Sequence, residues 1–82
     1  MEKRTGFVGV LLKNRKKTAP QVNKILSEFG EIITGRMGLP YEKKKRCVIT
    51  LIVDATTDEV GRLTGQLGQL DGVSVKSGLC KE

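Results

Sequence analysis

The apolar positions of the chain follow two different periods, and the switches between them mark its elements. In FVGVLLK, Phe7 to Lys13, apolar residues occupy both alternating registers, the pattern of a strand covered on two faces. NRKK follows as a polar loop. In TAPQVNKILSEFG the spacing lengthens, and Val22, Ile25, Leu26 and Phe29 fall at i, i+3, i+4 and i+7, one stripe of an amphipathic helix. Thr18 and Gln21 read as a capping box at its start, Pro20 is tolerated in the first turn, and Gly30 stands where a left-handed C-cap is favoured. EIITGRMGL returns to a strand that Pro40 ends, YEKKK makes the turn, and RCVITLIVDA is the most β-prone stretch of the chain. Thr56 and Glu59 form a second capping box, opening a helix whose Val60, Leu63, Leu67 and Leu70 share one face. Gly61, Gly65 and Gly68 flank that face, either as tolerated glycines or for close packing against a neighbour. Asp71-Gly72 reads as a turn and VSVKSGL as the last strand.

The resulting order, β-α-β-β-α-β, is the split unit of a ferredoxin-like α+β sandwich. It predicts an antiparallel sheet of order 4-1-3-2 with two helices on one face, in a single domain over residues 1–82 without a linker. Two helices cover only one side, yet strands one and three are apolar on both. Val8, Val10, Leu12, Val48 and Ile52 are therefore expected to need a second cover, and a copy of the same chain is the simplest one. Strand two lies at an edge, where Gly35 and Gly38 allow close backbone approach, Arg36 discourages uncontrolled pairing, and Met37 joins the contact surface. A homodimer is expected, or a homotetramer if face and edge are both used. With 82 residues, the chain has reason to gain stability from a partner subunit.

Charge adds a polarity to this picture. Fifteen basic against nine acidic residues give a formal charge of +6. In the expected topology the first β–α loop, with Lys13, Arg15, Lys16 and Lys17, lies at the same end as the hairpin carrying Lys43, Lys44, Lys45 and Arg46. Glu28, Glu31, Asp54, Asp58 and Glu59 collect at the other. The basic pole is either a charged, solvated hairpin or a patch for anions or nucleic acid. Nucleic-acid binding there is expected to be weak and salt-sensitive, since there is no recognition helix and only three aromatic residues are present for stacking.

The same composition argues against chemistry. There is no histidine, and no triad or general acid–base pair, so no catalytic residue, metal ligand or cofactor is expected. Asp54 and Asp58 fit capping and the helix dipole. Cys47 shares a register with Ile49, Leu51 and Val53 and reads as core, whereas Cys80 stands near the C-terminus. Two unpaired thiols fit the reducing cytoplasm. No apolar run reaches the roughly 20 residues of a membrane span, and MEKRTGFVGVLLK, although it imitates a secretion signal, reads as the first strand.

The stretches GRMGLPY, DATTDEVG and GQLDGVSVKS, within a likeness running from about Phe7 to Ser77, resemble the iron-only hydrogenase system regulator family. That resemblance implies a small ferredoxin-like domain of the ACT or nickel-regulator C-domain type, acting as a regulator, with no catalytic residue attached to it. ACT-type domains sense small molecules near a first β–α loop that commonly carries glycine. Here NRKKTAPQ has none, which departs from amino-acid binding, and the missing histidines depart from the nickel regulators. The expectation is a non-enzymatic regulatory or interaction domain that self-associates and engages a regulatory protein partner. An anion- or nucleic-acid-binding module and an ACT-type small-molecule sensor stand as the alternatives.

Overall fold

Strand β1 (Arg4–Lys13) forms the sheet's interior together with β3 (Arg46–Ala55), because these are the two stretches able to bury one complete apolar register. The computed structural model describes residues 2–81; positions 1 and 82 of the expected domain lie outside the described residues. Between the strands come helix α1 (Arg15–Glu28), strand β2 (Ile33–Tyr41) and a 3₁₀ turn (Glu42–Lys44), and after them helix α2 (Thr57–Gly68) and strand β4 (Val73–Leu79). The sheet is antiparallel with order β2-β3-β1-β4, the expected order read from the opposite edge.

The register between β1 and β3 decides which side is core. Val8 faces Leu51, Val10 faces Ile49 and Leu12 faces Cys47. These residues, with Val53 and Ala55, pack beneath Val22 and Leu26 of α1 and Val60, Leu63 and Leu67 of α2. The expectation that Val8, Val10 and Leu12 line an uncovered face is thus corrected. They are completely or almost completely buried under the helices. The opposite register of β1 carries Thr5, Gly9 and Lys13, and that of β3 carries Arg46, Thr50 and Asp54. Polar and small positions mark this side as the one without helices.

Three local readings also change. Helix α1 begins at Arg15, with Asn14 as N-cap in the left-handed region (φ 54°) and without a side-chain cap bond. NRKK is therefore the cap and first turn, and Thr18 and Gln21 make no capping box. Thr18 is instead buried, its hydroxyl donating to the carbonyls of Lys13 (3.0 Å) and Asn14 (3.2 Å). Pro20 lies inside the helix and offers no N–H to the Lys16 carbonyl. At the other end Phe29 is the C-cap, and Gly30 does not adopt a positive φ. Pro40 continues β2 opposite Cys47, which an edge strand tolerates because the missing donor costs no ladder bond on its free side.

The Asp71-Gly72 turn forms as expected. Gly72 has φ 77°, and its carbonyl accepts from the Lys13 amide at 2.7 Å. The positive φ favours glycine there, and an added Cβ would also crowd the Lys13 carbonyl at 3.3 Å. The α2 glycines have no such constraint, for a Cβ at Gly61, Gly65 or Gly68 meets nothing within 4 Å.

Candidate functional site

Directly opposed residues on neighbouring strands project to the same side of a sheet, so the registers give the open face row by row. One row runs Gly35, Ile52, Phe7, Gly78; the next Met37, Thr50, Gly9, Lys76; the third Leu39, Val48, Leu11, Ser74. Tyr41 closes the surface beside Arg46 and Lys13. Met37 is 65% exposed, Leu39 62% and Ile52 45%, and Phe7, Tyr41 and Val48 are exposed as well. The apolar part spans β2, β3 and β1, while β4 contributes serine, lysine and glycine. Its middle row sets small residues, Gly9 and Thr50, between rows of large ones.

The interface residues expected from sequence are therefore divided. Val48, Ile52, Gly35 and Met37 lie on the open face. Val8, Val10 and Leu12 lie in the core. Arg36 and Gly38 belong to the helix-facing register of β2, and the Arg36 guanidinium donates to Asn23 Oδ1 of α1 at 3.0 Å. Phe7, Leu11, Leu39 and Tyr41 were not in that set. The polar ends of β1, Thr5 and Lys13, read as a register marker, identify Phe7 and Leu11, while Leu39 and Tyr41 follow only from their pairing with Val48 and Arg46.

The basic residues do gather. Lys13 and Arg46 are cross-strand partners. A groove between α1 and the β2–β3 connection is lined on one side by Arg15 and Lys16 and on the other by Lys45 and Arg46, with Ala19, Pro20 and Pro40 between them. Lys43 and Lys44 are exposed on the 3₁₀ turn. Lys17 points elsewhere, lining a smaller cavity with Asn14, Gln21 and Asp71. At the opposite pole Glu28, Glu31 and Glu59 line a common recess with Arg62, and Asp54 donates its amide to the Ile32 carbonyl at 2.9 Å.

Glu59 has a pKa lowered from its ordinary value. The Thr56 amide donates to its carboxylate at 2.8 Å and holds the pKa below the ordinary value. This is a structural cap: Thr56 Oγ1 in turn accepts from the Glu59 amide at 3.1 Å. Cys47 is buried and Cys80 exposed, both as free thiols. Among the described residues no cluster of three or more histidine, cysteine, aspartate or glutamate side chains could hold a metal ion, and no helix is long and apolar enough to cross a membrane.

A family model described as "TM1266-like: Iron-only hydrogenase system regulator, putative" matches residues 4–77. The chain belongs to this family. The Thermotoga maritima protein TM1266 is 36% identical, superposes with a TM-score of 0.93, and matches over 98% of this chain and all of that one. The ACT domain from GTP pyrophosphokinase of Chlorobium tepidum shares the fold at 17% identity and TM-score 0.78, covering 93% of this chain and 99% of that chain. CPII from Thiomonas intermedia, a nitrogen regulatory PII-like protein, does so at 13% identity and TM-score 0.58, with 90% and 86% covered. No curated protein sequence matches significantly.

Proposed function

We propose that this member of the iron-only hydrogenase system regulator family is a non-enzymatic, cytoplasmic regulatory module that works as a self-associating unit, its sheets joined through their open faces. The observation that carries this reading is the continuous apolar surface of Phe7, Leu11, Met37, Leu39, Val48 and Ile52, which no helix of the chain covers. Fully burying an aliphatic side chain is worth about 1.5–3 kcal/mol. Several half-exposed side chains side by side therefore offer a sizeable fraction of the roughly 5–15 kcal/mol by which a domain is stable. Face pairing gives a dimer. The free edge of β2 is the route by which dimers would join into a tetramer.

Light scattering or ultracentrifugation at micromolar concentration tests the reading. The native chain is expected at twice or four times the mass of one chain. Ile52→Asp, on the open face, should lower the mass and preserve the circular dichroism of the fold. Val10→Asp should unfold the protein, since it buries an unpaired charge beneath both helices. A native protein that sediments as a single chain would refute self-association.

A further inference from the structure

Two rarities of the chain meet in the groove between α1 and the β2–β3 connection. Both prolines of the chain, Pro20 and Pro40, line the groove and, with Ala19, supply its apolar surface. Both non-glycine residues with positive φ among the described residues, Asn14 (φ 54°) and Lys45 (φ 53°), stand on its walls. Proline supplies a rigid apolar surface that loses little freedom when covered. Lysine in the left-handed region is an uncommon and unfavourable choice where glycine or asparagine is usual, yet it keeps a cation at the rim. Among the residues whose side chains are described, none that lines the groove is acidic, while Arg15 and Lys16 line it from α1 and Lys45 and Arg46 from the other side.

We infer that this groove binds an extended acidic peptide segment of a protein partner, with an apolar side chain against its prolines and carboxylates against the cations of its two sides. The inference rests on the reading of the chain as a regulatory module, and names the partner chemistry such a module would engage. Charge complementarity decides the sign of the occupant. The apolar lining of Ala19, Pro20 and Pro40 decides its class, because neutralising phosphates needs cations alone, and a nucleic-acid strand would look for aromatic stacking platforms, which the groove lining does not include. A peptide with an apolar anchor between acidic residues uses every wall of the groove.

The test uses the intact protein and a fluorescein-labelled peptide with a central Leu-Phe pair flanked by glutamates and aspartates. A peptide with Gly-Ser in place of Leu-Phe and an oligothymidylate of equal length are the comparison probes. Saturable anisotropy change is expected for the Leu-Phe peptide, tighter than for either comparison probe by about tenfold or more. The double variant Lys16→Glu, Lys45→Gly should weaken this binding by about tenfold or more without lowering the melting temperature. Its acidic residue suits a helix start and its glycine suits the positive φ. Lys43→Gln with Lys44→Gln, outside the groove lining, should change it far less. The inference is overturned by absence of saturable binding, by equal binding of the Gly-Ser peptide or oligothymidylate, or by equal loss from the Lys43 and Lys44 variants. Ile52→Asp keeps the two readings apart: loss of mass with retained peptide binding supports both, and a native monomer that binds the peptide removes self-association alone.

Discussion

The two helices open in opposite ways, although each follows the first strand of a β-α-β half of the fold. At α2, Thr56 is extended and its hydroxyl and the Glu59 carboxylate exchange bonds with the backbone. Asp58 and Glu59 place negative charge on the first turn, where the positive end of the helix dipole favours it. At α1, Asn14 is left-handed and caps nothing with its side chain, and the first turn holds no acid. The positions matching Thr57, Asp58 and Glu59 are Arg15, Lys16 and Lys17. Local rules are satisfied at one helix start and violated at the other, beside the groove. Departures of this kind concentrate where a protein uses its surface. Local stabilisation is thus complete at α2, and the start of α1 is left free for the contact proposed above.

Something must hold the α1 start in place of a cap, and Thr18 is that residue. Its buried hydroxyl ties the Lys13 and Asn14 carbonyls to the helix, and Lys13 is itself tied by its amide to Gly72. Thr18→Val keeps the shape and removes the donor. A stability loss of about 1 kcal/mol is expected, seen as a melting temperature lower by roughly 4–8 °C in a domain of this size. An unchanged melting temperature would mean that packing alone positions α1.

Making α1 resemble α2 should stabilise it. Lys17 is the third helical residue, the position Glu59 holds in α2. Lys17→Glu exchanges a repelled charge for an attracted one and should add roughly 0.3–1 kcal/mol at low ionic strength, less in high salt. Denaturant titration at two salt concentrations measures it. A destabilised variant would show that the basic first turn has a structural partner after all.

The contrast between the helix starts also explains how much of the molecule the sequence discloses. β3 and β4 have the boundaries their composition predicts, and the Thr56–Glu59 box forms as spaced, because in these segments local preference and tertiary placement agree. Thr-x-x-Gln at position 18 offers an equally good local signature, but the chain leaving β1 turns at once through Asn14, and the threonine is consumed inside the helix. In β1, both registers are apolar at their centres, so Val8 and Phe7 look alike. Only the polar ends, Thr5 and Lys13 against Asp54 and Arg46, mark the open face, and that information is non-local. Topology alone placed the first β–α loop and the β2–β3 connection at one end, although Lys17 lines another cavity. The groove between them was not legible, because it depends on α1 starting three residues before Thr18 and on Pro40 continuing its strand.

The smallest expected effect concerns pH and separates the helix starts once more. The Thr56 amide, foremost, keeps the Glu59 pKa in the folded chain below the ordinary 4.5, with Lys3 and Arg62 adding to it by their charge. A carboxylate lowered on folding contributes stability in full above its unfolded pKa, and loses that contribution as the pH falls through its folded value. The first turn of α2 should therefore lose amide protection in acid before the rest of the helix does. Glu59→Gln retains an acceptor for the Thr56 amide but cannot titrate, so its α2 protection should be flatter with pH over that range. The start of α1, which carries no carboxylate, should show no such response in either protein. Glu59 is only partly buried, and solvent keeps the effect local. Hydrogen-exchange protection factors, corrected for the intrinsic pH dependence of exchange, give the readout at Asp58, Glu59 and Val60. The same acid slope in Glu59→Gln as in the native chain would place the titrating group elsewhere and leave the carboxylate arm of the cap without energetic weight.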